Sequence, residues 1–98
     1  MNVVSRRTMK EFAAAHADAA KELDHWFAVD RKAKWQTFLE VRQHFPDADQ
    51  YTSLLIFNIR HNTYRLIVKV DYRAKLLMVK AFLTYREYDR EDWKKWAP

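Results

Sequence analysis

The sequence contains no cysteine and no glycine, and its only internal proline is Pro46. Without cysteine there is no disulfide, no thiolate metal site and no cysteine nucleophile, which suits a reducing compartment. Without glycine there is no Gly-rich phosphate loop. Turns with positive φ must then use Asn, Asp or another residue at some steric cost. No apolar run approaches the ~20 residues needed to cross a bilayer. The first residues, Met1 to Arg7, offer neither an apolar signal core nor a cleavage site. The chain is expected to be soluble and cytoplasmic. No linker, repeat or low-complexity stretch divides it, and 98 residues suit one compact domain, residues 1–98.

What is present is charge, unevenly placed. The net charge is +5. Residues 1–59 hold eight Lys/Arg and eight Asp/Glu, while residues 60–98 hold ten and five, so the whole excess lies in the second part. A basic half on a neutral scaffold points to a polyanionic or acidic partner.

The apolar pattern changes period along the chain. Asn2–Val4 reads as a short strand and Ser5 as a helix N-cap. Met9, Phe12, Ala13 and His16 then recur at helical spacing. Asp18 is placed to cap a second helix carrying Ala19, Leu23, Trp26 and Phe27. Trp35, Phe38, Leu39, Val41 and Phe45 mark a third, stopped by Pro46. From Leu54 the residues alternate instead: Leu54–Ile59, Tyr64–Asp71 and Leu76–Leu83 read as strands joined by four-residue links, hence antiparallel hairpins.

Turns centred on His61-Asn62 and Arg73-Ala74 would set Ile59 opposite Tyr64, Asn58 opposite Arg65, Lys69 opposite Met78 and Ile67 opposite Lys80. One face then carries Leu55, Phe57, Ile59, Tyr64, Leu66, Val68, Val70, Leu77, Val79, Ala81 and Leu83, and is expected against the helices. The other carries Leu54, Ile56, Asn58, Arg65, Ile67, Lys69, Met78, Lys80 and Phe82. Its mixture of cations and apolar groups makes it the expected open binding face, although a solvated sheet face is also common. After Leu83, Thr84 and Glu87 have the form of a capping box, and Tyr88 with Trp93 or Trp96 is expected to tuck the last segment against the sheet.

Chemistry is constrained by the same inventory. His16, His25 and His44 have no metal-ligand spacing, so no metal or other cofactor is expected. Asp47 and Asp49 lack the second cluster that a hydrolytic carboxylate pair needs. The remaining group is cationic and aromatic: Arg65, Lys69 and Lys80 on the open face, Arg60, His61 and Asn62 in the first turn, and Thr84, Tyr85, Arg86 and Tyr88 after the last strand. Arg grips phosphate through parallel hydrogen bonds, and Tyr stacks on unpaired bases. RNA cleavage without a metal requires an activated 2′-hydroxyl, a neutralised phosphorane and a protonated 5′-oxygen. Arg and Lys suit the second task; His or Tyr suits the others.

Phe57-Asn58-Ile59, Asn62-Thr63-Tyr64-Arg65-Leu66-Ile67, Leu83-Thr84, Glu87-Tyr88-Asp89 and Trp93 together resemble the pattern of the HigB toxins, within the RelE-like toxins. Lys34-Trp35, Phe38 and Phe45-Pro46-Asp47-Ala48-Asp49 fit the same pattern. The resemblance implies an α+β fold, with N-terminal helices on one face of a small antiparallel sheet and a short C-terminal helix. It implies a metal-independent endoribonuclease of a type II toxin–antitoxin system, cutting mRNA bound at the ribosome and so inhibiting translation. It also implies a HigA-like helix-turn-helix antitoxin, whose complex with the toxin binds operator DNA. On that reading Arg65 and Arg86 hold the scissile phosphate. Asn58, Arg60, Asn62, Lys69, Lys80, Thr84 and Tyr88 contact RNA. The sequence departs from the family at two places. The turn is Arg60-His61-Asn62 where glycine commonly precedes the Asn, and Tyr85 stands where a His commonly follows the Thr. Tyr85 or His61 is therefore the acid/base candidate. Two other readings are a non-catalytic RNA-, ribosome- or protein-binding module on the same fold and, behind it, a DNA-binding protein without a basic recognition helix.

Overall fold

The computed structural model describes residues 1–4 and 6–97; Ser5, read above as a helix cap, lies outside them. In chain order the elements are β1 (Asn2–Val4), α1 (Arg6–Ala15), a 3-10 turn (Ala17–Ala19), α2 (Ala20–Lys32), α3 (Phe38–His44), β2 (Asp49–Tyr51), β3 (Leu54–Ile59), β4 (Tyr64–Asp71), β5 (Leu76–Thr84), α4 (Tyr85–Asp89) and a second 3-10 segment (Asp92–Trp96). The class is α+β, as expected. The sheet is wider than the three hairpin strands alone: its order is β1-β5-β4-β3-β2, with β1 parallel to β5 and every other pair antiparallel. The added strand β2 is only three residues long and none of them is buried, so it carries no apolar alternation by which to be read.

The first hairpin has the register that the alternation predicts, with Asn58 opposite Arg65 and Ile59 opposite Tyr64. The glycine-free turns do take left-handed backbone, at Thr52, Arg60, His61, Lys75 and Glu91. None of these is Asn or Asp. The expected N-cap of α2 is not one either. No side chain caps that helix, and the Asp18 carboxylate accepts a 3.0 Å bond from the Tyr64 hydroxyl instead. Thr37 caps α3 by accepting from the Glu40 amide.

The second hairpin departs from the expected pairing halfway. Lys69 faces Met78, but Ile67 faces Ala81 and Val68 faces Val79, so Lys80 is the extra residue of a β-bulge. A bulge shifts the alternation by one. Phe82 therefore joins the helix-side core, while Ala81 and Leu83 join the opposite cluster. All three lie across the sheet from where plain alternation puts them.

Both faces of the sheet are covered. On the helix side, Leu23 and Trp26 of α2 and Val41 of α3 bury against Phe57, Leu66, Val68 and Leu77. The other face, expected to be open, is not. Leu54, Ile56, Ile67 and Ala81 lie under Trp93, with Tyr88, Trp96 and Ala97 around it. The apolar residues of that face supply the reason: four buried hydrophobes need a cover, and the C-terminal segment provides it.

Candidate functional site

The cover stops short of one end of the sheet, and there the predicted residues gather. Arg65 is the second residue of β4, on the covered face, and is only 8% exposed. Its Nη1 donates to the Tyr64 carbonyl at 3.2 Å, and its Nη2 donates to Asn62 Oδ1 at 3.4 Å. The guanidinium carbon lies 5.5 Å from the ring centroid of Tyr85 and 5.3 Å from that of Tyr88. Two aromatic faces and two neutral oxygens thus hold the cation. Among the described residues no carboxylate lies within ion-pair distance of it.

Local sequence explains the cradle. Thr84 ends β5 and caps α4, its hydroxyl accepting from the Glu87 amide while the Glu87 carboxylate accepts from the Thr84 amide. This is the capping box read in the sequence. The backbone bond to Thr84 holds the Glu87 carboxyl below its usual range despite some burial. With the box closed, Tyr85 and Tyr88 project three residues apart on one side of a five-residue helix. The Tyr85 amide bonds the Thr63 carbonyl, tying α4 to the first turn. Tyr88 is further fixed by Trp93: the rings stack at 5.1 Å and 6°, and the Trp93 indole N–H donates to the Tyr88 carbonyl. Burial pushes the Tyr88 phenol pKa up, so it remains a neutral hydroxyl.

Asn62, Arg65, Thr84, Tyr85 and Tyr88 are therefore brought together, with Asn58 opposite Arg65 in register. Arg86 follows Tyr85 on α4 and is exposed. Arg60 and His61 turn elsewhere. The Arg60 backbone amide donates to Glu22, and its guanidinium donates to the Asp18 carbonyl. His61 lines a pocket with Lys21 and His25 on the helical layer. Lys69 sits four residues along β4 from Arg65, roughly 13 Å at strand rise, and half-buried Lys80 occupies the bulge. No group of three His, Asp or Glu arranged for a metal occurs among the described residues.

One cluster has no counterpart in the sequence reading. His16 packs 5.0 Å from Tyr64 and 5.4 Å from Phe82, and it is the smallest of the causes that hold the Glu87 carboxyl below its usual range. It therefore borders the site from the helical side. Only the bulge brings Phe82 to that side, and nothing in the alternation announces a bulge.

Residues 19–91 match the HigB toxin family, described as the RelE-like toxic component of a toxin–antitoxin system. The chain belongs to this family. It is also 24% identical over 93 residues to the mRNA interferase HigB of Escherichia coli O6:H1 (strain CFT073), an alignment covering 92% of this chain and 90% of that protein.

Proposed function

We propose that this toxin is an endoribonuclease that cleaves mRNA at the ribosome without a metal, and that Arg65 is its principal anion-binding group. The observation that carries the proposal is the state of Arg65: a buried cation whose partners are all neutral. An uncompensated buried charge is costly, and an entering phosphate relieves that cost. Arg65 and exposed Arg86 neutralise the charge that grows on the phosphorane. The 2′-oxygen attacks phosphorus as it loses its proton. The bond from phosphorus to the 5′-oxygen breaks and that oxygen gains a proton, leaving a cyclic 2′,3′-phosphate and a 5′-hydroxyl.

Tyr85 is the better proton-transfer candidate. It is 54% exposed, its ring lies against Arg65, and it stands where the family commonly has His. His61 faces the helical layer instead. Asn58 and Asn62 contact the RNA beside Arg65, and Tyr88 positions Arg65. Thr84 holds α4, and with it Tyr85 and Tyr88, in place through its capping box, while Arg60, Lys69 and Lys80 contribute more remotely. The partner is a HigA-like helix-turn-helix antitoxin, whose complex with the toxin binds operator DNA.

The test uses purified toxin and ribosome-bound mRNA, with cleavage mapped by primer extension in the presence and absence of EDTA. The wild type should cut in both. Arg65→Lys keeps the charge but loses the planar fork and should cut at least about tenfold more slowly; Tyr85→Phe should also be impaired. Message left intact by folded wild type would refute the catalytic reading and favour the binding module. Undiminished cutting by Arg65→Lys would refute the role of Arg65.

A further inference from the structure

A broad groove lies away from this site. It is a groove of about 840 Å³ between β1, the end of α2 and the β4–β5 turn. β4 runs from Arg65's end of the sheet to this one, a span of roughly 25 Å for eight residues at strand rise. Arg6, Arg31, Lys32, Lys34 and Lys75 line the groove, and no Asp or Glu does. Among the described residues none of the five has a carboxylate within 4.0 Å. Lys34 and Lys75 both act on the Met1 amine, helping to lower its pKa, where desolvation is the largest cause; their fields therefore converge on one point.

Two ordinary explanations fall short. Cations in the last turn of a helix complement its dipole, which accounts for Arg31 and Lys32 on α2 but not for Arg6, Lys34 or Lys75. A nearby acid could neutralise the patch. The carboxyl coupled to the Met1 amine is Asp30, which is fully buried, and burial raises its pKa to about 9. It is neutral at pH 7 and cancels none of the five charges.

We infer that this groove binds the sugar–phosphate backbone of base-paired RNA, as a second contact separate from the Arg65 site. The inference deepens the RNA-directed reading above and rests on it. The choice of base-paired over single-stranded RNA follows from Phe27, the one aromatic ring in the groove. Arg6 and Arg31 lie 5.2 and 5.9 Å from its centroid. With two guanidinium groups on it, the ring offers no platform for an unpaired base, which single-strand recognition uses. The guanidinium edges keep N–H groups free for phosphate oxygens. The groove thus reads backbone charge and shape, the features a duplex presents.

The test is fluorescence anisotropy with a labelled RNA duplex of about 20 base pairs, titrated across salt concentrations. The proteins are wild type, Arg31→Ala/Lys32→Ala/Lys34→Ala and, as a control, Arg42→Gln, an exposed cation on α3 that belongs to neither site and donates to the Pro46 carbonyl. The triple variant should bind the duplex at least about tenfold more weakly, with a salt slope shallower by about two to three, because each cation removed leaves one phosphate un-neutralised. Arg42→Gln should bind the duplex like wild type. If circular dichroism shows the triple variant unfolded, Lys34→Gln/Lys75→Gln takes its place. Unchanged duplex affinity in the groove variant would overturn the inference, as would equal weakening in Arg42→Gln. So would a poly-glutamate peptide bound through the groove as tightly as the duplex, which would indicate a protein partner. Intact duplex binding by a wild type that fails to cleave mRNA would instead refute only the catalytic reading.

Discussion

Among the described residues Arg65 and Asp30 are the buried acidic or basic side chains, and they solve burial in opposite ways. Arg65 keeps its charge by surrounding it with aromatic faces and carbonyl-type oxygens. Truncation to alanine therefore removes packing as well as charge, and Arg65→Ala should lose stability along with activity; an open face would have spared the fold. Asp30 instead gives up its charge. Neither of its carboxyl oxygens has a hydrogen-bond partner among the described residues, and desolvation lifts its pKa from 3.8 to about 9. The sign follows from linkage. The folded state holds a proton that the unfolded state releases above about pH 4, so this contribution is complete below that pH and is lost as pH rises toward 9. Between about pH 5 and 7 the wild type should lose stability on raising pH, by at most about 1.4 kcal/mol per unit. Asp30→Asn, which cannot titrate, should flatten that slope in urea melts. A wild-type slope retained in Asp30→Asn would place the titrating group elsewhere.

At the scale of elements, the C-terminal segment joins stability to chemistry. Trp93 is buried over Leu54, Ile56, Ile67 and Ala81, meets Tyr51 edge-on at 5.5 Å and stacks flat on Tyr88. Tyr88 in turn touches Arg65. Trp93→Ala should cost roughly 3–5 kcal/mol, as buried aromatic truncations do, and should also slow RNA cleavage by freeing Tyr88. Phe57→Ala is the comparison: it should cost a similar amount of stability from the helix-side core, where Trp26 and Phe45 pack edge-on against it, but it holds no part of the Arg65 cradle. Cleavage rates measured well below both melting temperatures separate the two. Equal activity in the two variants would mean that the segment is a cover and nothing more.

Over the whole molecule, what is legible in the sequence is what repeats or is local. The three hairpin strands, the first register, the capping box at Thr84 and the Asn58–Arg65 pairing all follow from alternation or from spacings of three or four residues. The bulge at Lys80 does not, because one extra residue leaves composition unchanged while moving Ala81, Phe82 and Leu83 across the sheet. The covered face is half legible: Tyr88 and Trp93 read as anchors, but their effect on the burial of Arg65 depends on tertiary packing. Charge shows the same limit. Residues 1–59 have no net charge, yet the fold places Asp18 and Glu22 beside Arg60 and gathers Arg6, Arg31, Lys32 and Lys34 at the other end of the sheet. A chain that reads as neutral then basic is folded into a molecule with cations at both ends. On the proposed ribosome-directed function, binding to ribosomes should accordingly be steeper in salt than the C-terminal excess alone would give. Sedimentation with ribosomes across a salt series should show a slope that decreases in the Arg31→Ala/Lys32→Ala/Lys34→Ala variant, by about one neutralised phosphate per cation removed. A slope unchanged by removing those three cations would leave the +5 of residues 60–98 as the sole electrostatic attraction.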